Sequence, residues 1–450
     1  MTTVADLPDA HLVQSWRALP ARQQPPWPDR AALDAAVATL EAGLPLVVPR
    51  ECDRLRSRLA EVARGEAFLV QGGDCAESLD AASATSISLT AGLLQQLATV
   101  LGYALSRPTV TVARMAGQYA KPRSNPTEAR GGVELPVYRG DAVNGHAFTA
   151  ADRTPDPHRL VRAYHASAAT LNLVRAFGNS ESAGYAHALE GILAFAGSGP
   201  NAARRQPLAR SIAHAGGFTG SGGWHTPGEL FMSHEALLLD YEAALTRVDP
   251  ATGHPYATSG HLLWIGERTR DPDEAHVDYC ARIANPLAVK VGSGISGDEL
   301  LRLIDRLSPD NEPGRLTLVS RMGAGRVREA LPALVERVVK EGRAVAWVCD
   351  PMHGNTITAP TGHKTRRFTD VLDELMGFFE VLGCAGAHPG GVHLELTGDD
   401  VTECVGGDTG IDFEDLDTRY LSLCDPRLSG EQALELAFRL AERLTTGGAS

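Results

Sequence analysis

The 450-residue sequence predicts an α/β chain closed as a (β/α)8 (TIM) barrel, with an N-terminal arm and a helical insertion between the second and third strands. Three observations carry this. Eight short apolar or β-branched runs recur along the chain, most are followed by a segment of helical periodicity, and charged residues stand at or just after nearly every run. Alternating strand and helix implies parallel pairing with helical crossovers. Eight such units suit a closed barrel better than an open doubly wound sheet, although periodicity alone admits both.

Residues 1–63 precede the first strand, are Pro-rich (QQPPWPDR) and hold one helical stretch near Arg30–Ala42; they read as an arm serving packing or assembly. The barrel occupies 64–450. Its expected strands are Ala67–Gln71, Val110–Arg114, Glu229–Met232, Leu262–Glu267, Leu287–Val291, Leu316–Arg321, Ala344–Cys349 and Val392–Leu396. The expected helices are Ser88–Ser106, His234–Arg247, Asp273–Ile283, Gly297–Leu307, Val327–Glu341, Thr369–Leu382 and Gly430–Leu444, several with Ser or Asp near the start. Between the second and third strands lie helical runs at Leu160–Phe177 and Ser182–Phe195, an Arg-bearing run and the Gly-rich GGFTGSGGW, so about 178–228 reads as an insertion.

Composition narrows the function. At 43% hydrophobic and 22% charged the balance is globular, which argues against disorder, collagen or a coiled coil. No stretch approaches the roughly 18 apolar residues of a membrane helix, and the start, MTTVADLPDAHL, has neither a secretory nor a transit pattern; a cytoplasmic protein without a membrane is expected. A net charge of −13 argues against a nucleic-acid partner. Seven widely spaced cysteines without a CxxC pair disfavour a disulfide framework or zinc ribbon. Of 42 basic residues only Lys121, Lys290, Lys340 and Lys364 are lysines, so a retained lysine marks a site that needs a compact ammonium.

In barrel enzymes the chemistry sits at the C-terminal ends of the strands. Here those ends carry Asp74-Cys75-Ala76-Glu77, Arg114, Ser233-His234-Glu235, Glu267-Arg268, Lys290, Arg321, Asp350-Pro351-Met352-His353 and Glu395. Arg114, Arg268, Lys290 and Arg321 would converge as cations in an acidic protein, which points to a polyanionic ligand. Lys121, Arg123 and Ser124 follow on a Gly- and Pro-punctuated loop suited to a phosphate, giving a second anionic centre. Cys75, His353 and Glu395, with Asp425 ahead of the last helix, form a mixed soft and hard donor set that suits a divalent transition metal. Taken alone, the same residues also admit a buried cysteine and a core histidine.

The blocks QGGDCAES, RMAGQYAKPRS, WIGERTR, NPLAVKVG, RLTLVSRMG, CDPMHGNT, HPGGVHLELTG, VTECVGG and CDPRLS, in this order, closely resemble the type II (class II) 3-deoxy-D-arabino-heptulosonate 7-phosphate (DAHP) synthases, in their actinobacterial form. The match covers nearly the whole chain. The resemblance implies a barrel that condenses phosphoenolpyruvate with erythrose 4-phosphate, the first step of the shikimate pathway, using manganese or cobalt, with zinc or iron as alternatives. It implies Cys75, His353, Glu395 and Asp425 as metal ligands, and Arg114, Glu267, Arg268, Lys290 and Arg321 around phosphoenolpyruvate. Lys121, Arg123 and Ser124 would hold the aldose phosphate, and Lys290 and His353 are the candidates for proton transfer. It further implies a homo-oligomer, admits a chorismate mutase as partner, and suggests a Cys75–Cys424 disulfide in metal-free protein. Two departures stand out: the insertion reads SAGYAHALEGILAF where the family often carries an LHxVHxWN-type block, and VGSGIS follows Lys290 where a Gly-Pro step is common. The first puts the usual aromatic amino-acid effector sites in doubt, and the second, beside the site, bears on substrate preference. They also keep open a secondary-metabolism homologue acting on an amino- or otherwise modified aldose phosphate. A non-catalytic partner-binding homologue is the third reading, which the loss of a ligand would have favoured.

Overall fold

In the computed structural model, which describes residues 2–3, 14–178, 185–219 and 229–447, eight parallel strands close on themselves in chain order. They are β1 (Phe68–Gly73), β2 (Thr109–Arg114), β3 (Phe231–Glu235), β4 (Leu262–Ile265), β5 (Leu287–Val291), β6 (Leu316–Ser320), β7 (Ala346–Cys349) and β8 (Pro389–Glu395). Closure comes from β8 pairing with β1, Gly391 opposite Leu69 through Glu395 opposite Gly73. Side chains alternate across a strand, so one phase of every strand faces the barrel axis. That phase holds Leu69, Val110, Val112, Leu262, Trp264, Ala288, Val319, Ala346 and Val348 in one buried cluster. Two residues further along, the same phase delivers Arg114, Lys290, Arg321 and Asp350 to the C-terminal mouth. Packing below and charge above are one pattern read twice.

The arm carries more helix than its sequence suggests. Beyond α1 (Arg30–Glu41), α2 (Pro49–Ala63) sends Leu55, Leu59 and Val62 into the interior cluster and so plugs the N-terminal end of the barrel. Pro49 starts that helix without an N–H to satisfy, and Glu51 Oε2 accepts the Val48 N–H at 3.0 Å.

Around the barrel, α3 (Ala84–Leu105) is sandwiched between β2, the inserted α5 (Tyr185–Gly197) and the last helix (Gly430–Gly447). This corrects one expectation: by length and composition α3 is apolar enough to cross a membrane, and half of its most apolar stretch is buried inside the protein. A helix covered on two sides is apolar on two sides. The insertion follows α4 (His158–Gly178) and pairs α5 with α6 (Ala202–Thr219), which ends inside the Gly-rich stretch. Pro207 and the glycines hid α6 from periodicity. The start of the expected run from Ser182, ahead of Tyr185, and the Gly-rich residues 220–228 lie outside the described residues.

A second correction concerns His234–Arg247. Its spacing reads as helical, yet β3 runs on through Glu235, paired opposite Trp264, and the Glu235 N–H donates to Gln118 Oε1 at 2.8 Å. Only Leu239–Ala244 is helical, and Arg247 lies in the strand Thr246–Val248, which pairs with Pro255–Ala257. Glu229 falls before β3, Glu267 lies beyond the end of β4, and Arg321 directly follows β6. A hairpin without a periodic signal, Thr127–Arg130 with Val133–Pro136, turns on Gly131 (φ 57°) and Gly132 (φ 81°), two left-handed residues that a tight turn of this kind requires. The last expected helix spans Gly430–Gly447.

Candidate active site

Glu395, at the end of β8 and fully buried, is the centre of the charged mouth. Its Oε1 accepts from Arg114 Nη2 and Lys121 Nζ, both at 3.0 Å, and stands 3.0 Å from His353 Nε2, and its Oε2 accepts from Arg366 Nη2 at 2.6 Å. Burial alone would raise its pKa; His353, Lys121, Arg366 and Arg114 overcome that and hold it well below the carboxylate range. Arg366, without exposed surface, also donates to Met352 O at 2.7 Å and to Pro426 O, so one guanidinium ties the His353 loop and the Asp425 loop to Glu395.

Asp425 accepts from Lys121 Nζ and Lys364 Nζ, both at 2.9 Å. The donor atoms of His353, Glu395 and Asp425 lie within 4.8 Å of one another. Cys75 stands beside this trio, its Sγ 3.2 Å from Ser422 Oγ and 3.4 Å from the Asp425 N–H. A hydrogen bond with Cys424 is the largest influence on its thiol and, with Lys121, offsets burial to bring its pKa down to about 7. Both cysteines are free. The loop holding Asp425 is itself clamped: buried Glu403 accepts from the Arg427 side chain at 2.8 and 3.1 Å and from the N–H groups of Leu421, Ser422 and Arg427. Arg427 Nη1 meanwhile binds Asp74, the neighbour of Cys75, at 2.5 Å.

These residues fit a divalent metal. An imidazole, two carboxylates and a readily ionised thiol are a transition-metal donor set. His353 Nδ1 is 2.7 Å from Asp350 Oδ2, the outward hydrogen bond that orients metal-bound histidines.

Arg114 is fixed rather than free to swing. Besides Glu395 it binds Asp74 O at 3.0 Å and His393 Nε2 at 2.6 Å, and its guanidinium lies 5.1 Å from the Trp264 ring centre. Arginine only donates, so His393 Nε2 accepts and the ring proton sits on Nδ1, facing Gln71 Oε1 at 2.8 Å; Gln71 Nε2 then donates to Ser233 Oγ at 2.8 Å. Burial, Lys290 and Arg114 hold the His393 pKa far down, in keeping with that neutral tautomer. Lys290 Nζ binds Asp350 Oδ2, and burial pulls its pKa down to about 8 against the upward pull of Asp350.

Above this floor opens a pocket of about 480 Å3. Arg114, Lys290, Arg321, Glu267 and Arg268 line it together with Lys121, Arg123 and Ser124; Arg268 Nη2 reaches Ser124 Oγ at 2.7 Å and Arg321 pairs with Glu267. Every residue expected at the site is therefore in the pocket wall or beneath it, Cys75 and Glu395 among the latter. Sequence reasoning assigned no role to four lining residues with a stake in the chemistry or positioning, Glu235, Trp264, Thr356 and Lys364, and it missed the buried organiser Arg366. The scarcity of lysine was the signal for Lys364. The inward phase of β3 and β4 was the signal for Glu235 and Trp264, once β3 is given its correct end. Glu235 is half-buried, its Oε1 buried and unpartnered among the described residues, and desolvation raises its pKa.

The comparisons agree with one another. A model of the class-II DAHP synthetase family matches residues 11–441. The phospho-2-dehydro-3-deoxyheptonate aldolase of Streptomyces coelicolor is 56% identical over 436 residues, covering 95% of this chain and 96% of its own. Phospho-2-dehydro-3-deoxyheptonate aldolase AroG of Mycolicibacterium smegmatis is 48% identical over 436 residues, covering 95% and 93%. Among solved structures, the phospho-2-dehydro-3-deoxyheptonate aldolase of Francisella tularensis covers 91% of this chain and 96% of its own, with a TM-score of 0.47 and 12% identity, a distance at which it adds nothing to the sequence match. On the family match and these two relatives, the chain belongs to the class-II DAHP synthetase family.

Proposed function

We propose that the protein condenses phosphoenolpyruvate with erythrose 4-phosphate to DAHP and inorganic phosphate. The observation that carries this reading is one pocket lined by cations from the strand ends and from the loop after β2, over the ion pairs of Lys121 with Glu395 and Asp425. Arg114, Arg268, Lys290 and Arg321 hold the phosphate and carboxylate of the enol phosphate, and Lys121, Arg123 and Ser124 hold the aldose phosphate. Neutralising both anions lets C3 of the enol approach the aldehyde carbon, which is positioning and electrostatic stabilisation together. Carbon–carbon bond formation leaves an alkoxide that takes a proton; water adds at C2 and the C2–O bond to phosphate breaks. Lys290, with its pKa lowered to about 8, and His353, between Asp350 and Glu395, are the groups we assign to move those protons, with half-buried Glu235 a third acid–base group lining the pocket.

Cys75, His353, Glu395 and Asp425 would hold a divalent metal, manganese or cobalt first, with zinc or iron as alternatives; when bound it supplies Lewis-acid polarisation of the aldehyde oxygen. Homo-oligomer assembly and a chorismate mutase partner rest on the resemblance, and a cytoplasmic location on the reading of the sequence. The test is phosphoenolpyruvate consumption by metal-reconstituted protein with erythrose 4-phosphate, with a chelator control and the product identified by mass. Chelator-sensitive turnover is expected; none with metal bound would overturn the reading.

A further inference from the structure

The N-terminal arm reaches the wall of the pocket. Pro20 O accepts the Ala275 N–H at 3.1 Å on the barrel wall, and Gln24 brackets the turn after β3, donating to Leu237 O at 2.7 Å and accepting from the Leu239 N–H at 3.2 Å. Gln23, between these anchors, acts on the loop that carries Arg123 and Ser124. Its Oε1 accepts the Arg123 N–H at 2.9 Å and its Nε2 donates to Arg123 O at 3.1 Å, the paired contacts a neighbouring strand would make. The carbonyl of Gln23 accepts from Arg139 Nη1 at 3.3 Å, and the carbonyl of Arg139 accepts the Lys121 N–H at 2.9 Å. One arm residue thus pins the loop directly at Arg123 and, through Arg139, at Lys121. Gln23 does so with φ at 64°, a left-handed conformation costly for any residue but glycine, which persists only where the surroundings enforce it.

We infer that Gln23 is a positioning residue for the aldose-phosphate end of the pocket, so that the N-terminal arm is part of the site. This rests on the function proposed above. By engaging both backbone groups of Arg123, Gln23 sets where the Arg123 and Ser124 side chains stand, and Ser124 in turn meets Arg268 across the mouth.

The test uses full-length, metal-loaded Gln23→Ala and Gln23→Glu. Two lost hydrogen bonds predict that Gln23→Ala raises KM for erythrose 4-phosphate about tenfold, with kcat and KM for phosphoenolpyruvate within about twofold. Gln23→Glu, which keeps the acceptor for the Arg123 N–H but not the donor to its carbonyl, falls between. Amide hydrogen exchange over residues 121–125, measured without substrate, accelerates in Gln23→Ala. An unchanged KM for erythrose 4-phosphate, equal rises in both KM values, or unchanged exchange overturns the inference. If the wild-type protein turns over no erythrose 4-phosphate, the functional reading fails on its own, and the exchange result alone decides whether Gln23 holds the loop.

Discussion

At the scale of single residues, Glu395 concentrates more consequences than any other side chain. Three cationic groups, Arg114, Lys121 and Arg366, and the His353 imidazole meet its two oxygens inside the protein, and a buried charge cluster is kept in balance by the partner it surrounds. Glu395→Gln turns the oxygen facing Arg366 or Arg114 into a donor and leaves the cations uncompensated. The expected cost is about 3–5 kcal/mol of stability together with loss of metal binding; urea unfolding at wild-type midpoint would contradict this. Lys290 gives a prediction in pH. Its folded pKa, about 8, is below the ordinary 10.5, so the penalty of burying its charge is fully present below pH 8 and is relieved between the two values as the folded state gives up the proton first. Stability gains across that window while anion binding loses, because the same proton supplies the charge. The profile of kcat/KM for phosphoenolpyruvate should fall about tenfold per pH unit above pH 8, reporting the free enzyme. Lys290→Met should lower kcat/KM at all pH and abolish that limb; a limb that persists in the variant assigns it to another group.

At the scale of elements, what the sequence made legible is what alternation and spacing encode. Arg114, Lys290 and Arg321 could be placed at strand ends because each follows an apolar run by the period-two rule, and Gly297–Leu307 could be bounded because Ser296 and Glu299 form its capping box. What pairing rather than pattern decides was not legible: β3 passes through a segment of helical spacing because Glu235 pairs beside Trp264, and α2 is called into being by an open barrel end that needs a plug. Arg366 and Glu403 stayed hidden for the same reason, since each organises loops far apart in sequence. Arg427, bridging Glu403 and Asp74, connects the loop of Asp425 to that of Cys75. Arg427→Met should therefore weaken manganese binding by about 10–100-fold while pocket residues stay in place. Glu403→Gln added to Arg427→Met should recover part of the lost stability, because the orphaned buried carboxylate is the costly remainder. Electron paramagnetic resonance titration of Mn2+ and thermal melting of the single and double variants measure the two effects separately; wild-type manganese affinity in Arg427→Met would show that the two loops are held by other contacts.

At the scale of the whole molecule, fold and site meet in a single division of the barrel: an apolar lower interior closed by Leu55, Leu59 and Val62, and an upper mouth where the inward phase ends in Arg114, Lys290, Arg321, Asp350 and Glu395 and the loops add the remaining charges. The two halves make opposite demands, since the lower is self-sufficient packing and the upper juxtaposes Glu395 and Asp425, two carboxylates of like charge, beside a thiol of lowered pKa. Lys121 bridges the two carboxylates with a single ammonium. A divalent cation held there would relieve that repulsion only in the folded state, because the four donors come from the end of β8 and from the segments after β1, β7 and β8, which unfolding separates. Binding of this kind adds RT ln(1 + [L]/Kd), about 2.7 kcal/mol at a hundredfold excess over Kd. Chelation should therefore lower the melting temperature, readdition of manganese should restore it in a concentration-dependent way, and His353→Ala should erase the dependence while retaining a cooperative transition. Leu59→Ala is the complementary probe: a cavity in the plug should cost about 2–5 kcal/mol, leaving the metal-dependent increment unchanged. Calorimetry of the four states, wild type and Leu59→Ala each with and without metal, separates them. Additive shifts mean that the plug and the mouth are independent halves of the barrel, and a lost increment in Leu59→Ala would mean that packing at the floor holds the ligand geometry at the top.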